Sequence, residues 1–107
     1  MAETVQSVMQ GLPDAFQPDA AAGVDAIFQY EVTGDQASTY HLVVKDQKLT
    51  VNEGAASSPN CTLTMDTPDF IDLMTGKIDG MSAFMAGKLK VDGDLMLAQT
   101  LATLFKN

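Results

Sequence analysis

The sequence predicts an α+β domain: one sheet with helices packed on one of its faces. Three observations carry that expectation. Between Val24 and Met65, apolar and polar residues alternate in four closely spaced runs, the period of half-buried strands. Before and after that stretch the apolar spacing changes to three and four, the period of helices. A chain of 107 residues has room for a single domain, spanning 1–107, with one core and no need of disulfide staples.

Each element follows in order. From Glu3 to Leu12, residues Val5, Val8, Met9 and Leu12 share a helical face, and Pro13 is expected to end the helix. Phe16 is expected to plug the core from a short turn, and Ala20 to Gly23 lead into the first strand. There Ala26, Phe28, Tyr30 and Val32 alternate with Asp25, Gln29 and Glu31. Thr33 to Ser38, with Gly34 and Asp35 inside it, reads as a hairpin turn. In the next strand Tyr40, Leu42 and Val44 oppose Thr39, His41 and Lys45. Asp46-Gln47 makes a tight turn into Leu49 and Val51, and after the loop Glu53 to Asn60 a fourth strand runs from Cys61 to Met65. Strands so closely connected are expected to be largely antiparallel.

Thr67-Pro68-Asp69 reads as a helix start, with a Thr N-cap, Pro at the first helical position and an acid in the first turn. Phe70, Ile71, Leu73 and Met74 form its apolar stripe and Gly76 ends it. Asp79 is expected to cap a short helix carrying Met81, Phe84 and Met85, closed by Gly87. Lys88 to Val91 alternates as a short fifth strand. A final helix, Leu95 to Phe105, aligns Leu97, Ala98, Leu101, Leu104 and Phe105 on one face.

Composition removes several functions. The net charge is −8, the six basic residues are all lysines, and Arg is absent. Nucleic-acid affinity comes from Lys and Arg neutralising phosphates, so no nucleic-acid partner is expected. The same balance opposes tight docking on an anionic bilayer. The purely apolar stretches fall far short of the roughly 20 residues a spanning helix needs, so no stable membrane insertion is expected. One cysteine cannot make an internal disulfide, and no signal peptide or C-terminal targeting tripeptide is visible. A cytoplasmic location is therefore expected.

Catalytic and metal chemistry find little support. Cys61 and His41 are the only Cys and His, and the alternation puts them on opposite faces of a shared sheet. Cys61 reads as a small buried hydrophobe, and no set of three or four metal ligands converges. Asp66, Asp69 and Asp72 cluster where one helix starts, and Asp92 and Asp94 where another does; acids there complement helix dipoles. No cofactor and no enzymatic activity are expected. Lys77, Lys88 and Lys90 are the one local concentration of positive charge. They read either as an attraction for carboxylate or phosphate, or as solvated lysines, two of which protect an edge strand.

Several segments together resemble the sterol carrier protein 2 family. They are Asn60-Cys61-Thr62-Leu63-Thr64-Met65, Met74-Thr75-Gly76-Lys77, Ala83-Phe84-Met85-Ala86-Gly87-Lys88-Leu89-Lys90-Val91 and Gly93-Asp94-Leu95. The strand patterns around Ala26-Ile27-Phe28-Gln29-Tyr30 and Thr39-Tyr40-His41-Leu42 also fit, so the resemblance covers nearly the whole chain. It implies a single five-stranded mixed sheet, mostly antiparallel, with helices on one face enclosing a hydrophobic cavity. It further implies binding and transfer of fatty acids, fatty acyl-CoA or sterol-like amphiphiles, with no chemistry of its own. The chain departs from peroxisomal members in lacking their targeting tripeptide, which favours a prokaryotic-type version. Gln99 and Thr100 are also more polar than the pattern leads one to expect on the last helix.

Carried over by residue, the helix bearing Phe70 and Met74 lines one wall, the segment Met81 to Met85 another, and the final helix acts as a cover. Lipid-binding residues expected on this basis are Phe28, Phe70, Met74, Ile78, Met81 and Phe84, joined by Met85, Leu89, Leu95, Met96 and Gln99. Met is the adaptable residue among them, and Met74, Met81, Met85 and Met96 all fall on helical segments of the C-terminal half. Gln99 either meets a ligand headgroup or simply faces solvent. Apolar stripes at helical spacing are more often packed core than pocket, and the pattern by itself does not separate the two. The competing function is an accessory module that delivers lipid substrate to, or dimerises with, a lipid-metabolising enzyme.

Overall fold

The computed structural model describes residues 4–105, apart from the side chain of Ala102. Glu3, expected in the first helix, and Lys106-Asn107 lie outside the described residues. The order is α1 (Val5–Ala15), a 3-10 turn (Pro18–Ala21), β1 (Ala26–Thr33), β2 (Ser38–Lys45), β3 (Lys48–Glu53) and β4 (Cys61–Asp66). Then come α2 (Thr67–Met74), α3 (Gly80–Met85), β5 (Lys90–Gly93) and α4 (Leu95–Thr103). The expected five-stranded α+β architecture is the observed one.

The strands lie in the order β3-β2-β1-β4-β5. Three of the four neighbouring pairs are antiparallel, and the fourth, β1 with β4, is parallel. That parallel pair is what close spacing along the chain did not indicate. The segment from Gly54 to Asn60 carries the chain from the β3 edge back to the middle of the sheet, and hydrogen bonds tie it down on the way. Gln29 Oε1 accepts from Ala56 N at 2.9 Å, and His41 Nδ1 lies 2.9 Å from Gly54 O. Asn60 N donates to Ile27 O at 2.8 Å while Ile27 N donates to Asn60 Oδ1 at 2.9 Å. This reciprocal pair sets the register that places Cys61 beside Phe28. Gln29, buried on the face away from the helices, is the anchor for the crossing.

Register brings Phe28, Leu42 and Cys61 side by side, and Tyr30, Tyr40 and Leu63 likewise. Period two then puts all of them on one face, where α1 contributes Val5, Met9 and Leu12, α2 Phe70, and α4 Leu101. The β2–β3 turn is two residues long, and Asp46 and Gln47 both take positive φ (54° and 60°), the mirror-image turn whose twist matches a hairpin.

Helix boundaries moved where hydrogen bonding outweighed sequence punctuation. Pro13 sits inside the last turn of α1 rather than ending it; its ring removes one intrahelical N–H, and the helix runs only two residues further, to Ala15. Thr4 caps that helix in a reciprocal box with Ser7, both bonds at 3.0 Å. Asp66, not Thr67, is the N-cap of α2; the buried Thr67 hydroxyl instead donates to Thr33 O at 3.0 Å and accepts from Gln36 N at 3.1 Å. Lys88 and Leu89 do not begin β5, because their N–H groups go to Ala83 O and close α3 (2.9 and 3.2 Å). The last helix stops at Thr103, and Phe105 pairs with Phe16, ring centroids 6.0 Å apart.

Candidate functional site

The eleven residues singled out in the sequence separate into three layers. Phe28, Phe70 and Leu89 are buried. Phe28 stands on the helix-covered face between Leu42 and Cys61. Phe70, reaching down from α2, meets Tyr30 edge-on at a centroid separation of 5.4 Å. Met74 and Ile78 are half-buried against the same core. Ile78 is held there by the turn after α2, where Lys77 N and Ile78 N both bond Asp72 O (2.8 and 3.3 Å).

The remaining six are exposed. Met81 is 58% exposed, Phe84 44%, Met85 77%, Leu95 52% and Met96 77%, and Gln99 also faces solvent. The helical stripe of α3 is thus not packed core. That helix is six residues long and fixes itself to the domain through Ala83, its one buried residue, leaving its larger side chains outside. Its cap is as expected: Asp79 Oδ1 accepts from Ser82 N at 2.7 Å. In α4 the inner face is formed by Leu101 and Leu104, with Leu97 and Ala98 half-buried, so Leu95, Met96 and Gln99 turn outward. Asp94 starts that helix by accepting from Met96 N and Leu97 N at 2.9 and 3.2 Å.

The reactive candidates are kept apart. Cys61 is buried beside Phe28, and burial, followed by the charges of Asp94 and Asp92, pushes its thiol up. His41 pairs with Gln29 and Asn52 on the other face of the sheet. Burial likewise raises the Tyr30 phenol, with Cys61 adding to the effect. Asp79 is held below the ordinary carboxylate range by its hydrogen bonds from Ser82. Among the described residues no three His, Cys, Asp or Glu side chains are placed to hold a metal.

Two surface depressions accompany the sheet. One, about 290 Å³, lies between α1 and the β2–β3 edge and is bordered by Met9, Gln10, Tyr40, Val51 and Glu53. The other, about 330 Å³, is bordered by Thr33, Thr64, Asp66, Asp69, Lys88 and Lys90, where β1 and β4 end. Neither touches any of the eleven residues. Sequence reasoning had no signal for the second one, since it depends on β1 and β4 running parallel.

Residues 6–106 match the family model described as the SCP-2 sterol transfer family. The chain belongs to that family. Membership supports lipid binding, and it agrees with the resemblance the sequence carries. A relative of this family chain is hydroxysteroid dehydrogenase-like protein 2 of Bos taurus, 30% identical over 101 residues, or 94% of this chain and 24% of that protein. The chain therefore spans about a quarter of the length of that curated relative. Among solved structures, the inverting sec-alkylsulfatase Pisa1 from Pseudomonas sp. superposes with a TM-score of 0.85 at 22% identity. That match covers 99% of this chain and 17% of the sulfatase. Palmitated SCP2L2 from Aedes aegypti superposes with a TM-score of 0.76 at 20% identity, covering 98% of this chain and 96% of that one. These likenesses show the shared fold. Among the described residues no helix is long and apolar enough to cross a membrane.

Proposed function

We propose that this member of the SCP-2 sterol transfer family binds one long-chain amphiphile reversibly and hands it on, making and breaking no bond. The ligand classes are a fatty acid, a fatty acyl-CoA or a sterol-like lipid, taken up in the cytoplasm. The observation that carries the reading is the gradient of exposure across one apolar region, from buried Phe28, Phe70 and Leu89 through Met74 and Ile78 to Met81, Phe84 and Leu95. A domain that buries twenty apolar residues among those described yet leaves these outside has apolar area for a ligand tail to cover. Each methylene so covered contributes about 0.8 kcal/mol, so ten contribute on the order of 8 kcal/mol before association costs.

The tail lies between α3, the start of α4 and the sheet, displacing Met74 and Ile78. Unbranched Met side chains re-pack around tails of different length without a single fixed shape. Gln99, exposed on the outer flank of α4, offers an amide to a headgroup left at the surface. The SCP2L2 structure named for its palmitate supports a single acyl chain as a ligand such a fold can accept.

Native mass spectrometry of gently purified protein, followed by lipid extraction of the same sample, tests this. The expected result is a one-to-one complex with a fatty acid or acyl-CoA. A protein that stays free of ligand after incubation with fatty acids, acyl-CoA and sterols at micromolar concentration would overturn it.

A second reading, delivery of lipid to a partner enzyme, is favoured by one observation. The matched segment makes up only 24% of a relative named as dehydrogenase-like. Co-purification of a lipid-metabolising enzyme with the tagged chain supports it; a monomer with no enzyme in pull-downs counts against it.

A further inference from the structure

We propose that the open edge of β3 docks an extended segment of a partner protein, one that reads basic residue, spacer, large apolar residue, spacer, apolar residue. Among the described residues β3 stands at one end of the sheet and β5 at the other. Folded proteins blunt such edges with short strands, charged side chains, Pro or bulges. β5 is blunted: it has four residues, and Lys90 and Asp92 are two of them. β3 has six, pairs with β2 without a bulge, and carries charge only at its ends, Lys48 and Glu53. None of the eleven residues discussed for lipid binding belongs to this edge or to the depression beside it, so the proposal stands apart from the carrier reading.

Backbone phase couples the edge to a pocket. Gly54 N donates to Thr39 O at 2.7 Å, one step beyond the pair Tyr40 and Glu53. Bonded and non-bonded pairs alternate along an antiparallel ladder, so Asn52, Thr50 and Lys48 direct their backbone groups to β2. Glu53, Val51 and Leu49 direct theirs to the open side. These three pair with Tyr40, Leu42 and Val44, which places their side chains on the helix-covered face. Residues of an added strand directly opposite them point to that same face. The one opposite Val51 is thereby aimed at the depression of about 290 Å³ bordered by Met9 and Pro13 of α1, Tyr40 of β2, and Val51 and Glu53. Small-molecule sites run from roughly 300 to 1,000 Å³, and this smaller one suits a single large side chain. Charge sets the order of the segment. Running antiparallel, it brings first a residue opposite Glu53, where a basic side chain pairs, then those opposite Val51 and Leu49. The net charge of −8 draws a basic segment, whereas a second copy brings the same −8. Paired symmetrically through Val51, a second copy would also set Leu49 against the Glu53 carboxylate.

Amide hydrogen exchange of the full chain, beside fluorescence anisotropy of a labelled, end-blocked peptide Thr-Lys-Thr-Phe-Thr-Val-Thr, tests this. In the free chain the Leu49, Val51 and Glu53 amides are expected to exchange fast while Thr50 and Asn52 are protected. Saturating peptide is expected to slow the three outward amides. Backbone N-methylation of the peptide at Phe and Val, whose amides face β3, should weaken binding by roughly tenfold or more. Methylation at the two Thr beside Phe should leave binding unchanged. Ala in place of the peptide Phe should also cost roughly tenfold or more. Glu53→Lys should weaken binding about two- to fivefold, and a peptide with Glu in place of its Lys should recover it on that variant. A peptide that does not bind at millimolar concentration, or equal losses from the two methylation patterns, overturns the proposal. So do outward amides already protected in the dilute free chain. Protection that rises with protein concentration in the absence of peptide also overturns it and assigns the edge to a second copy.

Discussion

Gly93 joins β5 to α4, and replacing it with Ala should be far more damaging than replacing a glycine of the same backbone conformation elsewhere. Its φ is +98°, and an added Cβ would sit 2.6 Å from the Asn60 carbonyl oxygen and 3.3 Å from Cys61 Cα. Gly54 provides the internal reference: its φ is +100°, and a Cβ there meets nothing within 4 Å. Conformation alone costs about 1–2 kcal/mol at either site. At Gly93 the backbone of β4 must also yield, adding about 1–3 kcal/mol of overpacking. The same strand end accepts from Asp94 N, at 3.1 Å, so movement there loosens the launch of α4 as well. Urea denaturation of both variants measures this. Gly54→Ala should lose about 1–2 kcal/mol and Gly93→Ala about 2–5 kcal/mol, with unchanged m-values. Equal losses at the two sites would refute the close approach of β5 to Asn60.

Three further outcomes follow from the same geometry. Phe70→Ala removes a fully buried ring and its edge-on contact with Tyr30, and should cost about 3–5 kcal/mol in the same denaturation assay; Phe70→Leu, which keeps most of the volume, should fold and isolate the effect on lipid affinity. Cys61, buried and with its thiol pushed up, should resist thiol reagents at neutral pH in the native state and react only as urea unfolds the chain. Asp79 is held below its ordinary value by hydrogen bonds to the ionised form, so its contribution is complete above the unfolded value and is lost as pH falls through the folded one. Thermal melts between about pH 5 and 2 should therefore fall less steeply for Asp79→Ala than for the wild-type chain.

The parallel pairing of β1 with β4 has a functional consequence. By placing β4 beside the central strand β1, it leaves β5 as an edge strand, and the helices on either side of β5 are the ones that keep apolar side chains outside. An edge strand offers less sheet to pack against, so α3 and the start of α4 are only partly seated. The lipid-binding proposal uses that partial seating: a tail can part these elements without opening the β1–β2–β4 core.

What the sequence determined by itself was whatever depends on near neighbours. Alternation assigned Phe28, Tyr30, Leu42, Cys61 and Leu63 to one face, because strand side chains obey period two whatever the topology. Asp79 was legible as a cap, since a short acceptor before a helix satisfies its free N–H groups locally, whereas Asp94 was legible only as an acid favoured by the start of the last helix. The motifs between Asn60 and Leu95 carried the family. Tertiary structure decided what local pattern leaves degenerate. Met81, Phe84 and Met85 have the spacing of a packed stripe, yet among the described residues nothing covers them and they are exposed. Gln29 occupies a polar position of an outward face, yet the crossing from Gly54 to Asn60 buries it. The separation of wall from core within the candidate site belongs to the same class. Burial is a property of what a side chain meets across the fold, and the chain's own periodicity fixes only the direction in which it points.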